Sequence, residues 1–157
     1  MIVRTLLDYE NSEAVARWVM DKLGLELAAP YWAVGVLGPE TRKIIGGIVF
    51  NAWNGANLDI TICGPGAMTR TVLRGAFAYA FEGMGATRIT AQTRVSNKLM
   101  RDILPRVGFT LECELKRYYG PSPDDDALQF SMLRENCSWL AGARHERTES
   151  PRSGSNS

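Results

Sequence analysis

Apolar and polar positions alternate with two different periods along this chain, and the period predicts the element at each point. Asn11 or Ser12 opens a run in which apolar residues recur at helical spacing as far as Gly24, which predicts a helix. The β-rich runs 32–37 and 44–50 follow, and turn-forming residues separate them. This half of the chain is therefore predicted to form a helix and two antiparallel strands.

The second half continues with strands and helices in alternation and ends in a pair of strands. Strands are predicted over 58–63, 88–95, 111–119 and 127–133. The first of these breaks at Gly64-Pro65-Gly66, and apolar residues then recur at helical spacing to Met84, which predicts the longest helix of the chain. Because no repeat or linker divides the sequence, we expect one domain.

Composition narrows the class of partner. The 157 residues are 45% apolar, which suffices for one core, and no apolar run approaches the roughly 20 residues that cross a bilayer. A net charge of +1 gives no electrostatic footprint for nucleic acid or an anionic membrane. We therefore expect a cytoplasmic protein whose partner is a small molecule or a protein.

Cysteine and histidine offer little for metal binding or nucleophilic catalysis. The 3 cysteines are widely separated and odd in number, so reduced, mostly buried thiols are expected rather than disulfides or a zinc cluster. The single histidine, His145, lies in the polar segment 141–157, which we expect to be a disordered tail. Any chemistry must then use carboxylates, hydroxyls, backbone groups, or a cofactor that brings its own activated group.

The pattern of residues 94–109 indicates such a cofactor. They predict a strand end that runs into a short amphipathic helix, with Asn97 at its start and Gly108-Phe109 just past its end. This resembles the segment with which the GCN5-related N-acetyltransferase superfamily binds acetyl-coenzyme A: an Asn that opens the family's fourth helix, apolar residues, then Gly-Phe. Asn and Gly are ordinary helix caps, so the order of elements over residues 1–140 carries much of the resemblance.

Within the superfamily, the sequence is most similar to the ribosomal-protein alanine N-acetyltransferases and their small bacterial and phage relatives. Residues 108–112 are followed by basic and aromatic residues and by a closing segment, 132–140. The resemblance implies an α/β acyl-CoA N-acyltransferase fold over residues 1–140. Its mixed, mostly antiparallel central sheet is flanked by helices and has a splayed fourth strand.

The resemblance also implies where acetyl-CoA binds. The family holds the pyrophosphate with backbone N–H groups between the fourth strand and the long helix, where a helix N-terminus favours an anion. Together with Asn97, the corresponding residues here are Ile62, Gly64, Gly66, Ala67, Met68, Thr69 and Arg70. The loop departs from the family pattern, since Ala67 and Thr69 stand where glycine is usual. No metal is implied.

The residues that would move protons are less distinct. Many family members carry a Tyr in the Asn-opened helix to protonate the departing thiolate, but position 104 is Leu here. Ser96, Tyr118 and Tyr119 are the substitutes considered. Asp59 is the best candidate for the base, because partial burial of a strand carboxylate raises its pKa towards working pH. Weaker candidates for the base, and loop residues that could line the acceptor site, are Glu112, Glu114, Asn51, Trp53 and Asn54.

These residues predict an enzyme that transfers an acetyl group from acetyl-CoA directly to an amine of a small molecule or protein. The alternative is a non-catalytic acyl-CoA-binding or protein-interaction domain of the same fold. A nucleic-acid-binding module is disfavoured by the near-neutral charge. A homodimer is compatible with the resemblance.

Overall fold

The computed structural model of the protein describes residues 5–64 and 66–140, in which one sheet organises the chain. Its elements are β1 (Leu6–Asp8), α1 (Ser12–Leu23), β2 (Trp32–Leu37), β3 (Ile44–Asn51), β4 (Asn57–Cys63), α2 (Arg70–Ala78), β5 (Arg88–Arg94), α3 (Lys98–Val107), β6 (Thr110–Leu115) and β7 (Ala127–Leu133). The strands lie in the order β1-β2-β3-β4-β5-β7-β6. Every neighbouring pair is antiparallel except β4 with β5. The predicted α/β architecture is confirmed, whereas the predicted disorder of 141–157 lies outside the described residues.

Helices cover the two faces of the sheet unequally. On one face α1 lies so close to β2 and β3 that a Cβ added at Gly35 or Gly47 would come within 2.7 Å and 2.9 Å of Val15. On the other face α2 and α3 enclose the larger apolar core, which includes the fully buried rings of Phe50 and Phe77. Within the described residues, α1 thus contacts β2 and β3 and, less extensively, β4.

The ends of the helices follow the sequence signals. α1 ends at Gly24 (φ 65°) and α3 at Gly108 (φ 119°), both in the left-handed conformation that glycine adopts without strain. Asn97 caps the start of α3, as predicted. Thr69 caps the start of α2 with its side chain.

Three expectations need correction. The predicted longest helix is an α2 of 9 residues that continues as a π-helical turn, Tyr79–Gly83, so the 12-residue α1 is longer. The wider turn brings the successive residues Ala80 and Phe81 into the core together. β6 ends at Leu115 instead of residue 119, because Arg117 (φ 56°) turns the chain and donates its N–H to Asp126.

The third correction concerns the cysteines, of which only one is buried. Cys137 lies in the core, Cys63 is half-buried at the end of β4, and Cys113 is exposed on β6. β6 is an edge strand whose outer side has no neighbour among the described strands. Strand alternation alone could not reveal that exposure.

Candidate functional site at the divergence of β4 and β5

The parallel pair β4 and β5 separates part of the way along its length. Asn57, Leu58 and Asp59 are paired with Arg88, Ile89 and Thr90, and within the described residues no strand pairing joins 60–63 to 91–94. β5 stays paired with β7 along its whole length, and β4 stays paired with β3 from Asp59 to Cys63. The two strands therefore form a V that opens toward their carboxyl ends, which confirms the predicted splayed fourth strand. α2 follows one arm of the V and α3 the other.

The two glycines between β4 and α2 have different physical roles. A Cβ added at Gly64 (φ 94°) would lie 2.5 Å from the carbonyl oxygen of Ile45, so packing against β3 requires glycine there. At Gly66 (φ 82°) the nearest atom to an added Cβ is 4.0 Å away. The backbone at Gly66 is therefore open to the close approach of a ligand.

Ala67, also predicted to contact the cofactor, turns its side chain inward. Its residue is fully buried in the core beside α2, and its N–H donates to the carbonyl of Gly64 at 3.4 Å. Added bulk at Ala67 would press on the core before it reached a ligand. The small side chain at this position thus has a packing reason of its own.

The N-terminus of α2 presents backbone donors. Thr69 accepts a hydrogen bond from the N–H of Val72 at 3.4 Å. In the part of the chain that the structure describes, the N–H groups of Met68, Arg70 and Thr71 have no hydrogen-bond acceptor. Such N–H groups at a helix start, together with the exposed guanidinium of Arg70, favour an anion.

Partly buried apolar side chains lie on both sides of the V, on the face of α2 and α3. Ile62 and Met68 stand on the β4 side, and Met100 and Ile103 stand on α3; all four are partly buried against the core. Their partial exposure leaves apolar surface on both sides of the V. An extended, mostly apolar chain would find contacts there.

At the start of α3, the structure gives Asn97 its capping role. Its Oδ1 accepts a hydrogen bond from the N–H of Met100 at 3.2 Å, and the residue is exposed. Ser96 precedes it and is also exposed. Leu104 occupies the position at which many members of the resembled family carry Tyr. The residue is 1% exposed and belongs to the core.

Asp59 lies at the vertex of the V, on the face of the sheet that α1 shares. Its Oδ1 accepts a hydrogen bond from the side-chain N–H of Asn57 at 3.0 Å, and the side-chain Oδ1 of Asn57 accepts one from the Thr90 hydroxyl at 2.6 Å. Burial raises the pKa of Asp59, and the Asn57 hydrogen bond and the charge of Arg88 only partly oppose this. A carboxylate with a raised pKa is suited to accept a proton near working pH.

Of the loop residues expected to line the acceptor site, only Asn51 lies beside Asp59. The two are direct partners in the pairing of β3 with β4, and Asn51 is 6% exposed. Trp53 packs against the core of the opposite face, and Asn54 uses its side chain to accept the turn N–H groups of Ala56 and Asn57.

Tyr118 reaches the same face from the β6–β7 connection. Its hydroxyl donates to Oε1 of Gln92 on β5 at 3.0 Å, and its ring meets that of Tyr119 edge to face with centroids 4.9 Å apart. The guanidinium of Arg94 lies 4.7 Å from the Tyr119 ring centroid and pairs with Asp125 at 2.7 Å. These contacts hold the two tyrosines over β5.

The weaker candidates for the base are engaged in ion pairs. Arg88 makes two hydrogen bonds to Glu112, and this pairing lowers the pKa of the Glu112 carboxyl. Glu114 is paired with Lys116 at 2.9 Å. Asp59 is therefore the better base of the three.

Sequence reasoning missed Asn57, Thr90 and Gln92. All three lie on the face of Asp59, and the last two alternate along β5 with the buried Ile89 and Ala91. That alternation was the available signal, because every second residue of a strand shares a face. Among residues 5–64 and 66–140 there is no group of three potential metal ligands and no helix long and apolar enough to cross a membrane.

Comparison of the sequence with protein-family models and with curated proteins finds no match. The structure, however, is similar to solved acetyltransferases. Mutant forms of the spermidine/spermine N-acetyltransferase SpeG from Vibrio cholerae match with a TM-score of 0.67 at 13% identity, covering 83% of this chain and 95% of that chain. A ribosomal-protein-S5-alanine acetyltransferase from Vibrio fischeri matches with a TM-score of 0.57 at 19% identity, covering 81% and 71%.

A third match has the description "probable acetyltransferase", with a TM-score of 0.54 at 19% identity over 75% of this chain and 68% of that chain. At these identities the likeness establishes the fold alone. The predicted resemblance to the GCN5-related N-acetyltransferases is thereby confirmed at the level of the fold.

Proposed function

We propose that the protein is an acetyl-CoA-dependent N-acetyltransferase that moves an acetyl group directly to an amine. The observation that carries the proposal is the V between β4 and β5, with a helix N-terminus on one arm and the half-buried Asp59 at its vertex. The fold shared with SpeG and with the ribosomal-protein-S5-alanine acetyltransferase supports it.

The cofactor would lie along the face of α2 and α3. The backbone N–H groups of Met68, Arg70 and Thr71 would bind the pyrophosphate, and Gly66 would let it approach the backbone. Ile62, Met68, Met100 and Ile103 would pack against the pantetheine arm, with Asn97 at the start of α3 as a further contact. Bound acetyl-CoA supplies the acyl thioester from which the acetyl group is transferred.

The protein's own groups would manage the proton and the orientation of the amine. Asp59 would accept the proton of the acceptor ammonium, directly or through water, and a backbone N–H of β4 beyond the vertex would polarise the acyl oxygen. Ser96 or Tyr118 would supply a proton to the departing thiolate, which leaves as the free thiol. No residue forms a covalent intermediate in this scheme.

Cofactor binding tests the first half of the proposal. Calorimetric titration with acetyl-CoA in the presence of a chelator should show binding, and Arg70→Ala should weaken it more at low than at high ionic strength. Arg17→Ala is the matched control, because Arg17 lies on α1, across the sheet, where it pairs with Glu26 of the following loop. No binding at millimolar acetyl-CoA would remove both the enzyme and the acyl-CoA-binding alternative.

Turnover tests the second half. Release of free thiol from acetyl-CoA in the presence of a panel of amines is expected, and Asp59→Asn should lower its rate. Binding of acetyl-CoA with no thiol release over the whole panel would favour the non-catalytic alternative of the same fold.

A further inference from the structure

Within the described residues, the face of the sheet that carries Asp59 is mainly polar, and α1 contacts chiefly β2 and β3 and, less extensively, β4. α1 lies on β2 and β3, and strand register extends this face across the remaining strands. The side chains there are mainly small, amide or charged: Asn57, Asp59, Arg88, Thr90, Gln92, Arg94, Gln129 and Ser131. A mostly antiparallel sheet can leave one face in solvent, so the fold itself permits such a polar strip.

Most polar groups of the strip are hydrogen-bonded to one another. From Tyr118, the chain of hydrogen bonds continues at Gln92, whose side-chain N–H donates to Gln129 at 3.2 Å, and Gln129 donates to Glu112 at 3.4 Å. Glu112 in turn accepts from Arg88. These amides and this ion pair therefore offer a ligand no uncompensated charge.

Within the described chain, one carboxylate of the strip has no cationic partner. The strands of the strip place two carboxylates on this face, and Glu112 is neutralised by Arg88. The other, Asp59, has no cation within ion-pair distance among the described residues, and only its Oδ1 has a hydrogen-bond donor, from Asn57. The second cation of the strip, Arg94, is held by Asp125.

Beside Asp59, the free polar atoms are acceptors. Asn51 uses its side-chain N–H to donate to the carbonyl of Ala28 at 3.2 Å, and its Oδ1 accepts no hydrogen bond in the described part of the chain. Directly paired residues on adjacent strands have Cβ atoms roughly 5 Å apart, which lets Asn51 and Asp59 contact one group. An ammonium offers three donors and one positive charge, and it complements this pair.

We infer that the acceptor is a primary amine carrying a single positive charge, which Asp59 and Asn51 hold at the vertex while the exposed ring of Tyr118 packs against its carbon skeleton. The inference rests on the proposed function and specifies its acceptor class. The source of such an amine is a small monoamine or the α-amino group of a peptide.

A second ammonium on the same acceptor has no partner in the strip. In a 1,4-diamine it would lie on the order of 6 Å from the first, about two strand residues away. The groups at that distance along β5 are Gln92 and Arg88, a cation that is already paired with Glu112. A second ammonium would be repelled by the guanidinium and would find no free carboxylate, so the strip should bind monoamines in preference to diamines and polyamines.

The test compares chemically matched acceptors with the wild-type protein. n-Butylamine and an alanyl tripeptide amide represent the two sources of a monoamine, and 1,4-diaminobutane and spermidine carry additional ammonium groups. We expect kcat/KM for at least one monoamine to exceed that for both polyamines by about tenfold or more. The preferred monoamine identifies the source.

Two variants make the test specific for charge. Asp59→Asn should raise KM for the monoamine while acetyl-CoA affinity stays within about twofold of wild type. Gln92→Glu is isosteric, keeps an acceptor for the Tyr118 hydroxyl, and adds the missing carboxylate. It should raise the ratio of diamine to monoamine kcat/KM about tenfold.

The outcomes separate the inference from the proposed function. Absence of acetyl-CoA binding overturns both. Acetyl-CoA binding with equal or better use of polyamines, or with no acetylation of any amine, overturns the inference. So does a Gln92→Glu variant that acetylates monoamines with an unchanged diamine ratio, whereas monoamine preference together with a raised ratio in that variant supports it.

Discussion

Asn97 has one role that the structure shows and a second that the proposed function requires, and substitution can separate them. Its Oδ1 caps α3 through a single hydrogen bond of 3.2 Å to Met100 at an exposed position. Loss of such a cap costs about 1 kcal/mol. For a domain of this size, Asn97→Ala should lower the melting temperature by about 2–4 °C. If the side-chain N–H also binds the cofactor, the same variant should raise the Kd for acetyl-CoA about fivefold.

Asn97→Ser distinguishes the two roles, because serine caps helices as well as asparagine does but carries no amide N–H. We expect its melting temperature to return to that of the wild type and its acetyl-CoA affinity to stay low. Ser122→Ala, which removes a cap of similar geometry (3.3 Å to the N–H of Asp124) in the β6–β7 connection, controls for stability effects on binding. A serine variant with wild-type Kd, measured by calorimetry, would refute the cofactor role and leave Asn97 as a cap only.

Three further predictions concern stability. Gly64→Ala should lower the free energy of unfolding by about 3 kcal/mol, because its Cβ would lie 2.5 Å from a β3 carbonyl oxygen. Gly66→Ala should lower it by only about 1 kcal/mol, through backbone strain, and chemical denaturation measures both values. Since burial raises the pKa of Asp59, its ionisation disfavours the fold, so Asp59→Asn should raise the melting temperature at pH 7. That gain in melting temperature should vanish below about pH 4, the ordinary pKa of Asp, because the carboxyl is then protonated in the folded and the unfolded state alike. Trp139→Phe removes the 2.7 Å hydrogen bond to the Val107 carbonyl and should cost about 1 kcal/mol by the same denaturation assay.

Local signals in the sequence predicted the order and type of the elements well. The strand bounds of β2 matched the predicted run 32–37, and Gly24, Asn97 and Gly108 marked helix ends as expected. Each of these depends on residues within one turn or one strand. The π-helical turn after α2 did not follow from such signals, because it is decided by how Ala80 and Phe81 fit the core.

The candidate site was predicted in part for the same reason. Asp59 and the Gly64–Thr69 loop follow from one strand and its break, so the sequence located them. The sequence named Asn51 as a loop candidate, but only the pairing of β3 with β4 places it beside Asp59. Gln92 shares a face with Thr90 by strand alternation, but its contact with the Tyr118 hydroxyl is long-range and has no fixed spacing in the sequence. The sequence could not show that Glu112 is neutralised by Arg88, 24 residues away.

β5 connects the stability of the fold to the polar strip. Its Ile89 and Ala91 are buried in the core under α2, while Thr90 and Gln92 alternate with them and face Asp59 and Tyr118. A shift of one residue in the pairing of β5 with β7 would exchange the two sets, burying amide and hydroxyl groups and exposing the core. The apolar residues therefore fix the register that orients the polar ones. Because β4 is joined to β5 over only three residue pairs, this register also sets where the V begins, and with it the position of Asp59 relative to the strip.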